Sequence, residues 1–275
     1  MTISAIQEYM INGSKSASLS PFDRGFAYGD GVFRTLAVEN ACAHDWQLHY
    51  AKLVHDCNVL GIVCPASQIL LNDIERLFAG NQTKAVAKII VTRGEGDRGY
   101  SMPSLAQPTR VVIKSAFPSY PAEAFEWGVR LHLCQTRLGF QPRLAGIKHL
   151  NRLENVLARA EWNDPAIADG LMLDMEGNVI ECVMSNIFAR YGQTLVTPEL
   201  NRCGVAGMTR QRILELTPAM EYRTEIRPIA FDELMDADEV IICNSLFGAW
   251  QVRALAGKSW EAQSLASQFR TLLQE

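Results

Sequence analysis

The sequence predicts a mixed fold of helices and strands, α/β or α+β, that is divided into two domains. The chain has 275 residues, which suits two domains of about 100–150 residues better than one. Segments rich in β-branched residues alternate with segments of helical periodicity in both halves. Two prolines within residues 117–122 (FPSYPA) resist helix and strand, so we expect a linker there.

Composition narrows the class of protein. Hydrophobic residues make up 48% of the chain and charged residues 20%, which is the balance of a folded protein rather than a disordered one. The net charge of −4 argues against nucleic acid as the main partner. No run of about 18 apolar residues is present, so we expect no membrane span and no membrane partner.

Residues 1–10 and the cysteines point to a cytoplasmic protein. Residues 1–10 contain no basic residue and one acidic residue, Glu8, which is not the pattern of a signal peptide. The seven cysteines are scattered and form no Cys-x-x-Cys pair, so neither a zinc ribbon nor a redox motif is predicted. We therefore expect reduced thiols and no metal site.

The first half is predicted to contain two helices and two strands. Residues 45–60 have apolar Leu48, Leu53 and Leu60, and residues 66–78 have an apolar stripe at helical spacing. Residues 88–92 (KIIVT) and 110–114 (RVVIK) are rich in β-branched side chains and are predicted strands.

The second half repeats this mixture. A helix is predicted over 149–162, where Leu150, Leu153, Leu157 and Ala160 form one stripe. Strands are predicted at 170–174 and 187–190 around a turn at 176–178. Further predicted elements are strands at 129–133 and 239–243 and helices at 209–216 and 264–273.

Lys148 is the first candidate for chemistry. It lies in GIKHLNR, between apolar residues and the predicted amphipathic helix. A lysine desolvated at such a junction has a lowered pKa and can act as a nucleophilic amine. The alternative is a surface lysine, which the local sequence favours when taken by itself, because lysines are rarely buried.

Two further candidates are a glycine turn and a carboxylate. In residues 204–210 (GVAGMTR), Gly207 allows close approach of a ligand, and the N–H groups of Met208 and Thr209 suit a phosphate. The alternative is an ordinary turn in which Thr209 caps the helix. Glu181 lies in an apolar run and needs a partner if buried, such as a protonated pyridine nitrogen. Otherwise it faces water from an edge strand.

Substrate recognition has candidates in two glycine-rich segments. Arg93 and Arg98 lie in RGEGDRGY after a predicted strand, and a guanidinium group binds a carboxylate through two hydrogen bonds. The alternative is a mobile charged loop. Tyr28 lies in DRGFAYGDGVF, which either lines a pocket or forms a packed turn.

The chain order of these features resembles the fold-type IV pyridoxal-phosphate (PLP) enzymes. This family contains branched-chain aminotransferases, D-amino-acid aminotransferases and 4-amino-4-deoxychorismate lyases, and the sequence looks closest to the lyases. The resemblance spans about residues 9–250, and IKHLNRLENVL is its most specific segment. It is carried by DRGFAYGDGVFRT (23–35), TRGEGDRGY (92–100), LAGIKHLNRLENVLAR (144–159), ECVMSNIF (181–188), GVAGMTR (204–210) and DEVIICNSL (238–246).

The resemblance implies roles for individual residues. Lys148 looks like the lysine that binds PLP as a Schiff base, and Glu181 looks like the partner of the pyridine nitrogen. Met208, Thr209 and Ser245 match contacts to the phosphate.

At Lys52 the sequence departs from the family, which usually has a phosphate-binding arginine there. Lysine keeps the positive charge but lacks the planar, two-pronged guanidinium group of arginine. We therefore expect weaker binding of the phosphate, or compensation by other residues. Arg93, Arg98 and Tyr28 are candidates to contact the substrate.

The resemblance also implies an architecture and a reaction. We expect a D-amino-acid aminotransferase-like fold, with a smaller domain at 1–117 and a larger one at 122–275 that carries Lys148, and a homodimer. The implied reaction converts 4-amino-4-deoxychorismate to 4-aminobenzoate and pyruvate in folate synthesis. The alternatives are an aminotransferase for D-amino or branched-chain acids, and a non-catalytic binding protein, against which the retained Lys148 and Glu181 argue.

Overall fold

The computed structural model describes residues 8–274, which form two compact units. The N-terminal unit contains the described residues up to Ser119 together with Ile147–Asn151, and the C-terminal unit contains Tyr120–Gly146 and the residues from Arg152 onward. The predicted mixed class of fold is confirmed. Residues 1–7, which belong to the predicted first domain and to the segment examined for a signal peptide, lie outside the described residues.

The N-terminal unit is an antiparallel sheet covered by helices. Its five strands lie in the order β1-β5-β4-β2-β3, and the predicted strands at 88–92 and 110–114 lie within β4 and β5. The elements are β1 (Glu8–Ile11), α1 (Arg24–Tyr28), β2 (Gly31–Glu39), β3 (Cys42–Ala43), α2 (Trp46–Leu60), α3 (Ser67–Leu77), β4 (Ala85–Thr92) and β5 (Thr109–Ala116).

Helices α2 and α3 form the core of this unit with one face of the sheet. Leu70, Ile74 and Leu77 of α3 are buried at spacings of four and three residues, which places them on one side of the helix. Leu53 and Cys57 of α2 join the same cluster. This packing fixes the rotation of α2, and therefore the direction of its polar residues.

The C-terminal unit is a larger mixed sheet with helices. Eight strands follow the order β11-β10-β9-β12-β13-β6-β7-β8, and β14 pairs with β13. The pairs β10·β11, β6·β13 and β6·β7 are parallel. The elements are α4 (Ala122–Glu126), β6 (Val129–Leu133), α5 (Leu153–Arg159), β7 (Ile167–Leu173), β8 (Val179–Cys182), β9 (Asn186–Tyr191), β10 (Thr194–Thr197), α6 (Met208–Leu216), β11 (Arg223–Ile226), α7 (Phe231–Met235), β12 (Glu239–Asn244), β13 (Gly248–Leu255), β14 (Lys258–Ser259) and α8 (Leu265–Gln274).

The predicted helix at 149–162 is wrong at its start and in its buried face. Helix α5 begins only at Leu153, because the N–H of Leu150 donates to the carbonyl of Gly31 at 3.0 Å and His149 forms a bridge with Val32. Leu153 and Leu157 are 76% and 60% exposed, so the predicted stripe does not face the core.

The same backbone pairing groups Ile147–Asn151 with the N-terminal unit, although we expected the second domain to carry Lys148. Whether residues 1–117 and 122–275 are independent folding domains stays a prediction. Among residues 8–274, no helix combines the length and the apolar character that crossing a membrane requires.

Candidate active site

Lys148 is held by its backbone on the N-terminal unit. Its carbonyl accepts a hydrogen bond from the N–H of Phe33 at 2.9 Å, and its own N–H donates to Oδ2 of Asp56 at 3.1 Å. The Nζ atom lies 4.9 Å from the centre of the Phe33 ring. A Cβ atom on Gly31 would lie 2.6 Å from the carbonyl oxygen of Val91, so glycine is required where this segment meets the sheet. Lys148 is half-buried, which argues against a freely solvated lysine.

A buried charge cluster surrounds this anchor point. The side chain of Asp56 is fully buried on α2 and forms ion pairs with Arg34 of β2 and with Lys52, one helical turn earlier. Asp56 also accepts the hydrogen bond from the Lys148 backbone. Lys52 is therefore ion-paired and largely buried rather than solvated, and its role toward a phosphate stays a prediction.

Burial shifts the proton affinities in this cluster. It lowers the pKa of Lys52 to about 7, with further lowering by Arg34 and Lys148 nearby. The ion pair with Asp56 opposes this shift, because it stabilises the protonated ammonium group. Burial likewise lowers the pKa of Arg34 to about 10, so the guanidinium group stays charged at neutral pH.

Arg93 has a structural environment rather than the open position expected of a substrate-binding arginine. Its Nε and Nη2 donate to the two carboxylate oxygens of Asp30 at 2.7 and 3.0 Å, and Nη1 and Nη2 donate to the carbonyls of Gly61 and Leu60. Arg24 donates to the same carboxylate at 2.9 Å. Burial raises the pKa of Asp30, but the hydrogen bonds from Arg93 and Arg24 outweigh it and lower the pKa below 3.8. Four of the five guanidinium N–H donors of Arg93 are used by these bonds, which differs from the open position that we expected.

Of the other two candidates for substrate contact, Arg98 lies in the loop between β4 and β5, and Tyr28 is the last residue of α1. Arg98 is exposed. The hydroxyl of Tyr28 accepts a hydrogen bond from the N–H of Gly99 at 3.1 Å, and its ring lies 5.4 Å from that of Tyr100. Arg24 donates to the carbonyls of residues 99–101, so it holds the loop that carries Arg98.

In the C-terminal unit, Glu181 is buried with a defined partner. It lies on β8 with 4% exposure, and its Oε2 accepts a hydrogen bond from the N–H of Val205 at 2.8 Å. This excludes the alternative of an edge-strand glutamate facing water. Arg152 is close enough to interact with Glu181, which raises the pKa of Arg152 against a larger lowering by burial.

The loop at residues 205–207, whose Val205 N–H binds Glu181, leads directly into helix α6. Asn186 holds the loop from both ends, because its Nδ2 donates to the carbonyl of Val205 at 2.8 Å and its Oδ1 accepts from the N–H of Gly207 at 3.1 Å. A Cβ atom on Gly207 would lie 2.3 Å from that Oδ1. The hydroxyl oxygens of Thr209 and Ser245 are 3.4 Å apart. The structure thus brings Thr209 and Ser245 together.

Each unit contains residues whose chemistry fits a part of PLP. The first turn of α6 provides N–H groups that have no acceptor within the helix, and Gly207 has no side chain to cap them, so the hydroxyls of Thr209 and Ser245 and these amides suit a phosphate. Glu181 is a buried carboxylate suited to a protonated ring nitrogen, and Lys148 offers a primary amine. Within residues 8–274 we found no cluster of His, Cys, Asp or Glu side chains that would hold a metal ion.

Three residues of these environments were missed from the sequence: Arg34, Asp56 and Asn186. Asp56 and Arg34 carried a signal, since each interrupts an apolar pattern on its element, as Glu181 does. Asn186 stands at the start of a buried strand, where an amide needs two partners. Their partners lie far away in the chain, so the pairing itself was not predictable.

Known proteins similar to this chain agree on one family. The family model described as Amino-transferase class IV matches residues 31–255. A curated aminodeoxychorismate lyase from Vibrio harveyi is 35% identical over 248 residues, which cover 90% of this chain and 91% of the relative. The crystal structure of a 4-amino-4-deoxychorismate lyase from Pseudomonas aeruginosa is 45% identical and covers 97% of this chain and 98% of its own, with a TM-score of 0.92.

A more distant structure agrees on the fold. A fold IV transaminase from Curtobacterium pusillum is 23% identical, covers 94% of this chain and 88% of its own, and has a TM-score of 0.77. The expected fold-type IV architecture is therefore confirmed. From the match over most of its length, the chain belongs to the class IV amino-transferase family.

Proposed function

We propose that this chain is a PLP-dependent lyase that converts 4-amino-4-deoxychorismate to 4-aminobenzoate and pyruvate. The observation that carries the choice of reaction is the 45% identity to the lyase from Pseudomonas aeruginosa over nearly the whole of both chains. The geometry supports PLP as the cofactor. Lys148, Glu181 and the start of α6 suit the aldehyde, the ring nitrogen and the phosphate of PLP, in that order.

Each residue has a proposed task toward the cofactor. Lys148 binds the cofactor's aldehyde carbon through its amine, and Glu181 holds a proton on the ring nitrogen. Met208 and Thr209 donate backbone N–H groups to the phosphate, and Ser245 donates its hydroxyl. Lys52 adds a positive charge for the phosphate, in place of the arginine usual in the family.

When bound, PLP supplies an electron-withdrawing ring that is joined to the substrate's amino group. The amine of Lys148 would remove the proton from the ring carbon that bears the substrate's nitrogen. Loss of this proton lets the enolpyruvyl group leave and makes the six-membered ring aromatic. Lys148 returns a proton to the methylene carbon of the departing group, so that pyruvate forms.

The substrate's carboxylates need cationic partners. We propose Arg98 for this role, since it is exposed on a loop that Arg24 holds. Tyr28 lies beside the same loop and is proposed to contact the substrate. Arg93 acts as the anchor of this region rather than as a ligand to the substrate.

We further propose a cytoplasmic homodimer that acts on a small molecule, without nucleic acid or membrane as a partner. Leu153, Val156 and Leu157 of α5 are at least 60% exposed, as an apolar surface covered by a second copy would be in the isolated chain. Light scattering of the purified protein would measure twice the chain mass for a dimer, and a single chain mass would contradict it.

The function is tested by two assays on the purified holoenzyme. We expect formation of 4-aminobenzoate and pyruvate from 4-amino-4-deoxychorismate, and a much slower exchange between an amino acid and a 2-oxo acid. Lys148→Ala should lose several powers of ten in rate, because one residue serves as nucleophile and base. Borohydride should attach the cofactor to the peptide that contains Lys148.

The second candidate is an aminotransferase, which the family name and the transaminase from Curtobacterium pusillum support. Lys148 would also act in an aminotransferase, but it would return the proton to the cofactor rather than to a leaving group. Faster amino-group transfer than pyruvate release would favour this candidate and reject the lyase. Absence of cofactor binding would reject both.

A further inference from the structure

Asp56 has three polar partners, which come from separate parts of the N-terminal unit. Its carboxylate is fully buried and forms ion pairs with the guanidinium group of Arg34 and the ammonium group of Lys52. It also accepts a hydrogen bond from the backbone N–H of Lys148 at 3.1 Å. These donors come from β2, from α2 and from the segment Ile147–Asn151, which are separate in sequence. One carboxylate therefore joins β2 and α2 to the segment that contains Lys148.

Several basic groups lie near this carboxylate. Arg34 and Lys52 form ion pairs with Asp56, and Lys148 is close enough to Lys52 to lower its pKa. Among the described residues, other titratable groups that interact with this cluster are His49, His55 and Cys57 on α2, and Cys64 is hydrogen-bonded to Cys57. Burial, and secondly Arg34, lower the pKa of His49 to about 3. The hydrogen bond with Cys64, and secondly burial, raise the pKa of Cys57, so neither group is charged at neutral pH. His55 has its pKa lowered by burial, Lys52 and Arg34.

We propose that Asp56 is a positioning residue for Lys148, which fixes the backbone of this lysine and supplies the counterion for its amine. The inference rests on the proposed function, in which the amine of Lys148 reacts with the cofactor. A lysine must be neutral to attack an aldehyde, so the charge beside it sets the pH at which it reacts. Loss of the Asp56 carboxylate would remove the acidic partner of Arg34 and Lys52 and a negative charge next to the Lys148 backbone.

The test uses pyridoxal, the cofactor's aldehyde without its phosphate, on the full-length chain freed of cofactor. The neutral amine adds to the aldehyde carbon and water leaves. Borohydride then delivers hydride to that carbon while the nitrogen takes a proton. Mass spectrometry measures the label on the Lys148 peptide as a function of pH. Because pyridoxal has no phosphate, the role of Lys52 as a phosphate ligand does not enter.

The variants should move the midpoint of labelling in opposite directions. Asp56→Asn keeps an oxygen that can accept from the Lys148 N–H but removes the negative charge, so the midpoint should fall by about one pH unit or more. Arg34→Met removes a positive charge, so the midpoint should rise. The double variant removes one charge of each sign, and its midpoint should return toward that of the parent.

A matched control separates this role from general loss of stability. Asp73→Asn also removes a buried aspartate of the N-terminal unit that is paired with an arginine, Arg110 at 2.6 Å, and it should leave the midpoint unchanged. If either single variant fails to fold, the double variant and the other single variant still show in which direction the midpoint of labelling moves. Equal midpoints in the parent and in folded Asp56 and Arg34 variants would overturn the inference.

The result also separates this inference from the proposed function. If PLP and borohydride do not label Lys148 in the parent protein, the proposed function fails. If the parent is labelled at Lys148 but the midpoints do not move, only the role of Asp56 fails.

Discussion

Lys52 shows how a largely buried lysine is stabilised by its neighbours. A lysine offers phosphate a point charge, and burial alone would make that charge costly. Asp56 lies four residues later on α2, so the two side chains meet on one face of the helix. The ion pair favours the protonated form of Lys52, against the lowering of its pKa by burial, Arg34 and Lys148.

Lys52→Met should weaken PLP binding about 10- to 150-fold, the equivalent of one charge-assisted hydrogen bond of about 1.5–3 kcal/mol. Turnover at saturating PLP should stay near that of the parent, because Lys52 does not touch the reacting atoms in our proposal. Titration of PLP into the cofactor-free protein measures this.

Lys114→Met is a suitable control for that titration. The side chain of Lys114 is 20% exposed and ion-paired with Glu8 at 3.0 Å, compared with 19% exposure for Lys52, so the two lysines are similarly buried. Equal dissociation constants for the Lys52 and Lys114 variants would mean that Lys52 is not a phosphate ligand.

The chemistry of single residues was partly predictable. Glu181 was predicted as a carboxylate that needs a partner if buried, because its neighbours in sequence are apolar, and the structure buries it. Arg93 was assigned to the substrate from its loop context, but its partners Asp30, Leu60 and Gly61 come from other elements. Local sequence reports the need for a partner and not which partner meets it.

At the scale of elements, the least predictable part was the segment that carries Lys148. Residues 149–152 continue the apolar spacing of helix α5, and the pattern therefore predicts one longer helix. In the structure, the backbone groups of Lys148 and Leu150 pair with β2 instead. Periodicity describes side chains only, so it does not reveal a competing partner for the backbone.

Helix α6 depends on a close approach at Gly207, the residue that precedes its first turn. Gly207→Ala would place a Cβ atom 2.3 Å from Oδ1 of Asn186, so the loop or Asn186 must move. We expect PLP affinity to fall at least tenfold, since the amides of Met208 and Thr209 would be displaced from the phosphate. Affinity for pyridoxal, which lacks the phosphate, should change little. Titrating both aldehydes into the cofactor-free variant measures the two affinities.

The control for this glycine is Gly139→Ala, which also lies in the C-terminal unit. A Cβ atom there would approach only the Oε1 atom of the Glu154 side chain, at 3.1 Å, and this flexible side chain can move. An equal loss of affinity for PLP and pyridoxal in Gly207→Ala would show that α6 does not bind the phosphate.

At the scale of the whole molecule, the N-terminal unit depends on a network centred on Asp30. Arg24 and Arg93 reach its carboxylate from α1 and from the end of β4, and Arg93 continues to the carbonyls at the end of α2. Both arginines are 4% exposed. Loss of the carboxylate would leave two buried guanidinium groups without their acid.

Asp30→Asn should destabilise the protein by about 3 kcal/mol, the order found when one partner of a buried ion pair is removed. The pKa of Asp30 is lowered in the folded state, so its contribution is present above the unfolded pKa of about 3.8 and is lost as the pH falls through the lower folded value. The difference in Tm from the parent should be constant between about pH 5 and 7 and shrink below about pH 3.8. Asp97→Asn, an exposed aspartate in the same loop region, should change Tm little. A similar Tm loss in both variants would contradict the role of the network.

The inserted segment Ile147–Asn151 has a consequence for biosynthesis. The polypeptide leaves the ribosome from its N-terminus, and β1 to β5 emerge before the segment that pairs with β2. Until Asn151 has emerged, Gly31 and Phe33 lack their backbone partners and Asp56 lacks the amide of Lys148. A nascent chain arrested after Ser119 should therefore be cleaved by protease more readily than one arrested well beyond Asn151. The N-terminal unit is synthesised first, but it is completed only after part of the C-terminal unit has been made.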